Sequence, residues 1–309
     1  MKPVTHAPFE AHIAAAFGRL FYLETADGAH RIAVTRGKQH DFSVGDRVLA
    51  RDTSADQAVI ESLQPRTNQL RRSDAWRSKR LAANIDQLGI VLAGSPPFSE
   101  ELLVRVLIAA QAEDIAATII ANKIDLTDAQ AASELRLARY EALGYPVLRV
   151  ATKARPDDTL QRLLPWLRGR RTLLLGQSGM GKSTLINLLV PDAGLATQTI
   201  SEALQTGKHT TTFSQMFTLR DGDGAAVGRI IDSPGFQTFG LAHLSRSEVM
   251  YGMRDFGPLL GHCRFHNCTH RDEPGCAITQ AVTDGSIDRR RHELYRTLID
   301  ETLRAETTR

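Results

Sequence analysis

The chain has 309 residues, of which 42% are hydrophobic and 24% charged, with a formal net charge of +3. This balance leaves room for two or three globular domains and excludes collagenous and disordered classes. No run of eighteen apolar residues occurs and the start, "MKPVTHAPFE", is not a charged stretch leading into an apolar one, so neither a membrane span nor an export signal is expected and the expected compartment is the cytoplasm.

Residues 17–63 carry short apolar runs, "RLFYLET", "HRIAVTR", "DRVLARD" and "QAVIESL", separated by Gly, Asp and Ser turn signals. No long helical period interrupts them, which predicts a small antiparallel β-barrel or sandwich. A basic stretch follows, where Arg66, Arg71, Arg72, Arg77, Lys79 and Arg80 are accompanied by one acid, Asp74. Residues 67–80 read as a basic linker suited to a polyanion, although a solvated connector is the blander reading.

Beyond the linker the texture alternates. The runs "QLGIVLAG", "AATIIANK", "PVLRVAT", "RTLLLGQ", "TTFSQMFTL" and "GRIIDSPG" are separated by helical stretches at 99–113, 128–143 and 157–167 and by a helix opening at Lys182. Short apolar strands between amphipathic helices predict an α/β domain with a mainly parallel sheet.

The second of these strands ends in Asn122, Lys123, Ile124 and Asp125, which fit the Asn-Lys-x-Asp loop that reads guanine. There the Asp carboxylate accepts from the guanine N1–H and exocyclic amine while the Asn amide meets the other edge of the ring. Adenine leaves the carboxylate unpaired, a kind of discrimination that reaches roughly 10⁴-fold. The carboxyl end of a parallel strand is where open α/β sheets bind ligands. A polar strand-to-helix turn with Asp125 near a helix cap is the bland alternative.

"GQSGMGKS" satisfies G-x-x-x-x-G-K-[ST] between an apolar strand and a helix. Gly176, Gln177, Ser178, Gly179, Met180 and Gly181 are placed to wrap phosphate oxygens with backbone N–H groups, with Thr184 just beyond, because glycine lets the backbone approach and the helix N-terminus favours anions. Lys182 then reaches the β/γ-phosphates and Ser183 binds Mg²⁺. Kinases share this loop, so a P-loop kinase acting on a small molecule is a rival reading.

"TGKHTTT" at 206–212 stands where a GTPase has its first switch, with Thr211 or Thr212, or else Thr210, completing the Mg²⁺ shell. In "IIDSPG", Asp232 acts on Mg²⁺ through a water and the Gly235 N–H senses the γ-phosphate. Phe236 follows, where Ras-like enzymes carry the glutamine that orients water. Hydrolysis is therefore expected to be slow in isolation, or to depend on a partner that orders the switches or on another group, for which His209, otherwise a solvated loop residue, joins Lys182 and Asp232 as a catalytic candidate.

Cys263, Cys268, His270 and Cys276 are spaced C-x₄-C-x-H-x₅-C, with His262 and His266 as spare nitrogens. Three thiolates and an imidazole suit tetrahedral zinc, and four protein ligands leave no position for substrate, so a structural site is expected. A final helix near 287–305 carries Arg289, Arg290, Arg291 and Arg296, which extend the basic surface.

With base reader, phosphate loop and two switches in that order, the chain resembles the circularly permuted GTPases, and more closely the RsgA (YjeQ) family of small-ribosomal-subunit biogenesis GTPases. The resemblance is carried by "TRGK", "VGDRV", "RTNQLRR", "AANIDQ", "NKIDL", "GQSGMGKSTLIN", "GKHTTT", "DSPGF" and "CRFHNCTHRDEPGCAI". It implies an OB-fold barrel at 1–66, a basic linker at 67–80, a circularly permuted P-loop GTPase domain at 81–240 and an α-helical zinc domain at 241–309. It further implies GTP hydrolysis to GDP and phosphate with Mg²⁺, one structural zinc, binding of 16S rRNA and the small (30S) subunit, stimulation by that subunit late in its maturation, and a monomer. Two departures stand out. Lys208 replaces an arginine, losing its planar fork, and Ala151, Thr152 and Lys153 hold the place of a serine-containing loop that backs guanine. An RNA-binding adaptor with a nucleotide-sensing domain is the second rival.

Overall fold

The computed structural model describes residues 7–36, 41–73, 78–194 and 213–307. Strands β1 (Phe9–Phe17), β2 (Leu20–Thr25), β3 (His30–Thr35), β4 (Arg47–Asp52) and β5 (Gln57–Leu63) form the N-terminal unit. Their order is β1-β2-β3-β5-β4, and β4 pairs back onto β1, so the sheet closes into a five-stranded barrel of OB-fold type. Alternation along each strand sends Ile13, Phe21, Leu23, Val48 and Ile60 inward to a core of its own. The "SVGDRV" turn has a clear physical basis. Gly45 sits at φ 90°, and a Cβ there would meet the Ala83 carbonyl oxygen at 2.1 Å. Asp46, fully buried, accepts from the Ser43 N–H at 2.7 Å and from Arg66 at 2.6 and 2.8 Å.

The stretch expected to be a linker is paired structure. β6 (Gln69–Ser73) and β7 (Ser78–Ala83) form an antiparallel hairpin whose Leu70, Leu81 and Ala82 enter the main core. Next come β8 (Gln87–Ala93), α1 (Glu100–Ala112), β9 (Ala116–Asn122), α2 (Thr127–Ala142), β10 (Val147–Arg149), α3 (Pro156–Leu167), β11 (Arg171–Gly176), α4 (Lys182–Leu189), β12 (Gln215–Arg220) and β13 (Ala226–Asp232). The sheet order is β10-β9-β8-β11-β13-β12, parallel apart from β12. Every residue of β8 is buried, as expected of a strand covered on both faces. A single register pair, Ala15 with Gln215, joins β1 of the barrel to β12, so the two sheets are continuous.

The C-terminal region contributes α5 (Arg246–Tyr251), α6 (Ala277–Thr283) and α7 (Arg289–Thr307). It is clamped to the nucleotide domain by Arg105 of α1, which reaches Glu301 of α7 at 2.6 Å and Glu101 at 2.7 Å. Among the described residues, no helix is long and apolar enough to cross a membrane.

Candidate nucleotide site and metal centre

The phosphate loop runs from the end of β11 into α4, and two of its glycines have positive φ, Gly179 at 83° and Gly181 at 90°. Neither position tolerates a side chain. A Cβ on Gly181 would sit 2.3 Å from Asn122 Nδ2, and one on Gly179 would press on Pro96 at 3.3 Å. Gln177 Oε1 accepts from the Ser99 N–H at 2.8 Å, tying the loop to the start of α1.

The base-reading residues lie beside this loop despite preceding it in the chain. Asn122 Nδ2 donates to the Met180 carbonyl at 3.1 Å, and Lys123 Nζ donates to the carbonyls of Gly179 at 2.7 Å and Ser95 at 2.8 Å. Asn122 Oδ1 accepts from the Lys123 N–H at 2.9 Å, the Thr152 N–H at 3.1 Å and the Thr152 hydroxyl at 2.8 Å. Asn122 is thus a buried brace among three loops. Its contacts also bring the Ala151-Thr152-Lys153 segment to the site. Ile124 is half-buried, while Asp125 is exposed and meets no partner among the described residues, leaving its carboxylate open to a ligand.

At the neighbouring strand end, the buried Asp232 carboxylate receives the Lys182 ammonium. Burial raises the Asp232 carboxyl above its usual range, and Lys182 opposes that rise. Ser183, at the first turn of α4, is exposed. Gly235 lies against the phosphate loop, where a Cβ would be 3.7 Å from the Ser178 N. Phe236 is buried against Phe239, ring centroids 5.5 Å apart, and presents no polar group to water. His209 and Thr210, Thr211 and Thr212 lie outside the described residues.

The ligand atoms of Cys263, Cys268, His270 and Cys276 all lie within 4.8 Å of one another. In a tetrahedral zinc site with bonds of about 2.3 Å to sulfur and about 2.0–2.1 Å to nitrogen, sulfurs lie about 3.8 Å apart and sulfur and nitrogen about 3.6 Å apart. Here Cys263 and Cys276 sulfurs are 3.9 Å apart, and His270 Nδ1 is 3.4 Å from Cys263 and 3.5 Å from Cys276. The set fits one metal ion, and His262 and His266 stay outside it, exposed. Burial and the neighbouring thiols push the Cys268 thiol up to about 12, a cost that a cation reverses. Supporting groups orient the ligands. His292 Nε2 is 2.7 Å from the His270 carbonyl, Tyr295 donates to the Thr269 carbonyl at 2.8 Å, and Glu273 accepts from the N–H groups of Thr269 and Arg271.

The sequence profile of the RsgA GTPase family matches residues 63–242. The small ribosomal subunit biogenesis GTPase RsgA of Burkholderia pseudomallei strain K96243 is 51% identical over 293 residues, covering 94% of this chain and 92% of that protein. The chain belongs to the RsgA GTPase family. The Paraburkholderia phytofirmans RsgA is 50% identical over 290 residues, again with 94% and 92% coverage. Among solved structures, YjeQ from Thermotoga maritima superimposes with a TM-score of 0.72 at 25% identity over 96% of this chain and 99% of that one. YloQ, a circularly permuted GTPase, gives 0.68 at 25% identity with 96% of each chain covered. The chain is therefore a GTP-hydrolysing enzyme with a circularly permuted nucleotide domain, and the early position of Asn122–Asp125 is what permutation produces.

Within this family member much of the basic run is consumed internally. Arg66 is held by Asp46, Arg80 pairs with Asp41 at 2.7 Å, and Arg71 lies 3.7 Å from Glu113. On α7, Arg291 is buried against Asp255 at 2.6 Å and Arg296 pairs with Asp272 at 3.0 Å, leaving Arg289 and Arg290 exposed. Arg77 lies outside the described residues. Sequence reasoning missed the Ser95-Pro96 loop under the phosphate loop. Its signal was available, since "GSPPF" directly follows an apolar parallel strand.

Proposed function

We propose that this RsgA GTPase acts on the small (30S) ribosomal subunit late in its maturation, as a cytoplasmic monomer. It binds 16S rRNA and hydrolyses GTP to GDP and phosphate under stimulation by the subunit. The relatives' names point to small-subunit biogenesis. The observation that supports the nucleotide chemistry is the meeting of Asn122 and Lys123 with the backbone of Gly179 and Met180, and in this reading the exposed carboxylate of Asp125, next in the same loop, reads guanine. A small-molecule kinase has no use for that carboxylate.

In this reading the N–H groups of residues 176–184 hold the phosphates, and Lys182 moves from Asp232 to the β/γ-phosphates. Ser183, Asp232 and Thr211 or Thr212 hold Mg²⁺, which supplies charge neutralisation at the phosphates. Cys263, Cys268, His270 and Cys276 hold one structural zinc ion, which supplies folding energy to a polar module. Because Phe236 is buried and apolar, the water must be oriented by a group outside the second switch, His209 in the chain itself or a partner, which accords with slow turnover alone and faster turnover on the subunit. Phosphate release is measured with and without purified small subunits. A large stimulation supports the proposal, and equal rates refute it. Nucleotide-dependent RNA affinity without stimulated turnover returns the adaptor reading.

A further inference from the structure

Four phenylalanines from distant parts of the chain meet at the seam between barrel and nucleotide domain. Phe17 ends β1, Phe21 lies in β2, Phe42 precedes the Gly45 turn, and Phe213 follows directly on Thr210–Thr212. Phe17 and Phe213 stand edge to face with centroids 5.6 Å apart, and Phe21 and Phe42 do so at 5.4 Å. They line a cavity of about 330 Å³ with Lys79 and Arg80 of β7 at its wall. That volume falls in the range of about 300–1,000 Å³ typical of ligand sites.

The four rings are not all spent on packing. Phe21 belongs to the barrel core and Phe42 packs on it, whereas Phe17 keeps 38% of its surface exposed. The charges divide in the same way. Arg80 is neutralised by Asp41, but Lys79 makes no ion pair among the described residues; it lies near the like charge of Arg72 and also lines the neighbouring cavity that holds Glu101 and Glu301. A partly polar slot edged by aromatic rings, beside a cation without an ion pair, fits a ligand with a π face, polar edges and an anionic backbone, which is single-stranded nucleic acid. A duplex keeps its bases stacked inside, and an apolar peptide leaves Lys79 unbalanced.

We propose that this cavity receives one unstacked base of a single-stranded RNA segment, with Lys79 on its phosphate, and that the base is sensed at the first switch through Phe213. The inference rests on the reading of the chain as an rRNA-binding GTPase and adds to it the place where RNA and switch meet. Binding to the cavity changes the surroundings of the residue next to the Mg²⁺-binding threonines, a direct link from docking to hydrolysis.

The test uses the full chain, a fluorescein-labelled oligoadenylate and an RNA duplex of the same length. Phe17→Ala and Phe213→Ala are expected to weaken oligoadenylate binding on the order of tenfold, the scale of one lost base–aromatic stack. Phe17→Trp keeps the affinity, and the duplex is insensitive to Phe17→Ala. On purified small subunits, Phe17→Ala also lowers the stimulation of GTP turnover. Unchanged oligoadenylate affinity in both alanine variants overturns the proposal, as does an equal loss with the duplex. A photo-crosslinker at position 17 that captures a ribosomal protein in place of RNA overturns it too. If subunits fail to stimulate even the unaltered chain, the functional reading falls; if they stimulate it while the alanine variants bind normally, only the cavity assignment falls.

Discussion

Replacing Asn122 with Ala removes a side chain that ties three loops together. Its amide makes four hydrogen bonds, to the Met180 carbonyl, the N–H groups of Lys123 and Thr152, and the Thr152 hydroxyl. The hydroxyl can turn to another partner and the half-exposed Lys123 N–H can reach water. The Met180 carbonyl and Thr152 N–H belong to residues only 2% and 5% exposed, so both are left buried and unpaired. At about 1–3 kcal/mol for each of the two orphaned buried groups, the loss is about 2–6 kcal/mol. At roughly 2 °C per kcal/mol for a chain of this size, Asn122→Ala should unfold about 4–12 °C earlier without nucleotide. GDP and xanthosine diphosphate should weaken by the same factor, because a brace acts on the whole site. Thermal unfolding followed by fluorescence and calorimetric titration of both nucleotides measure the two effects. A variant that melts with the parent yet loses GDP selectively shows that Asn122 reads the base and that the bracing argument is wrong.

Asp125→Asn should move preference from guanine to xanthine nucleotides in competition binding while leaving stability within about 0.5 kcal/mol, since the side chain is exposed; retained GTP preference counts against the loop. A strong chelator should lower the unfolding midpoint of the parent, whereas Cys268→Ser should start low and respond little; equal responses in both would show that the cluster holds no stabilising ion. His12 supplies a pH dependence. Burial and the nearby Arg171, Arg229 and Arg47 lower it from 6.5 to about 4, so between those values the unfolded chain binds more protons and acid destabilises the fold, levelling off below about 4. After a discount for partial exposure the penalty at pH 5 is about 1 kcal/mol. Urea unfolding of His12→Asn should lose this component between pH 7 and pH 5, and parallel curves for the two proteins would remove His12 from the account.

What the sequence made legible was chemistry written in consecutive residues. The phosphate loop, Asp232 to Gly235 and the Cys₃His set each have fixed spacing; the loop joins β11 to α4, Asp232 ends β13, and the Cys₃His ligand atoms lie within 4.8 Å of one another. Partners that come from another element were hidden. Arg66, Arg80 and Arg291 read as surface charge because Asp46, Asp41 and Asp255, which hold them, lie elsewhere in the chain. The β6–β7 hairpin read as a linker because its apolar content is confined to a few residues such as Leu70, Leu81 and Ala82, too few to show a period of two. Thr152 was marked only by its place in a segment that lacks the expected serine, and its contact with Asn122 could come only from the fold. The expectations on His209 and Thr210–Thr212 fall on residues outside those described.

The hairpin also changes where a signal from the second switch arrives. The early placing of Asn122–Asp125 sends the strand ending at Asp232 straight into residues 233–244, which points toward the metal module alone as receiver. The segment is pinned before it gets there. Ser73 of β6 donates its N–H to the Gly240 carbonyl at 2.9 Å, accepts from the Ala242 N–H at 3.2 Å, and places its hydroxyl 2.7 Å from His243 Nδ1. Arg72 reaches the Thr238 carbonyl at 3.2 Å. At the other end Gly235 rests on the backbone of Ser178. A displacement of Gly235 by a γ-phosphate therefore meets the buried Phe236 and Phe239 and then a strand-like bridge to β6, before the chain reaches α5. Packed cores pass on such shifts as discrete moves. The basic hairpin thus touches the segment that leads from Asp232 to the metal module, and its second strand, β7, carries Lys79 at the wall of the cavity that Phe213 lines.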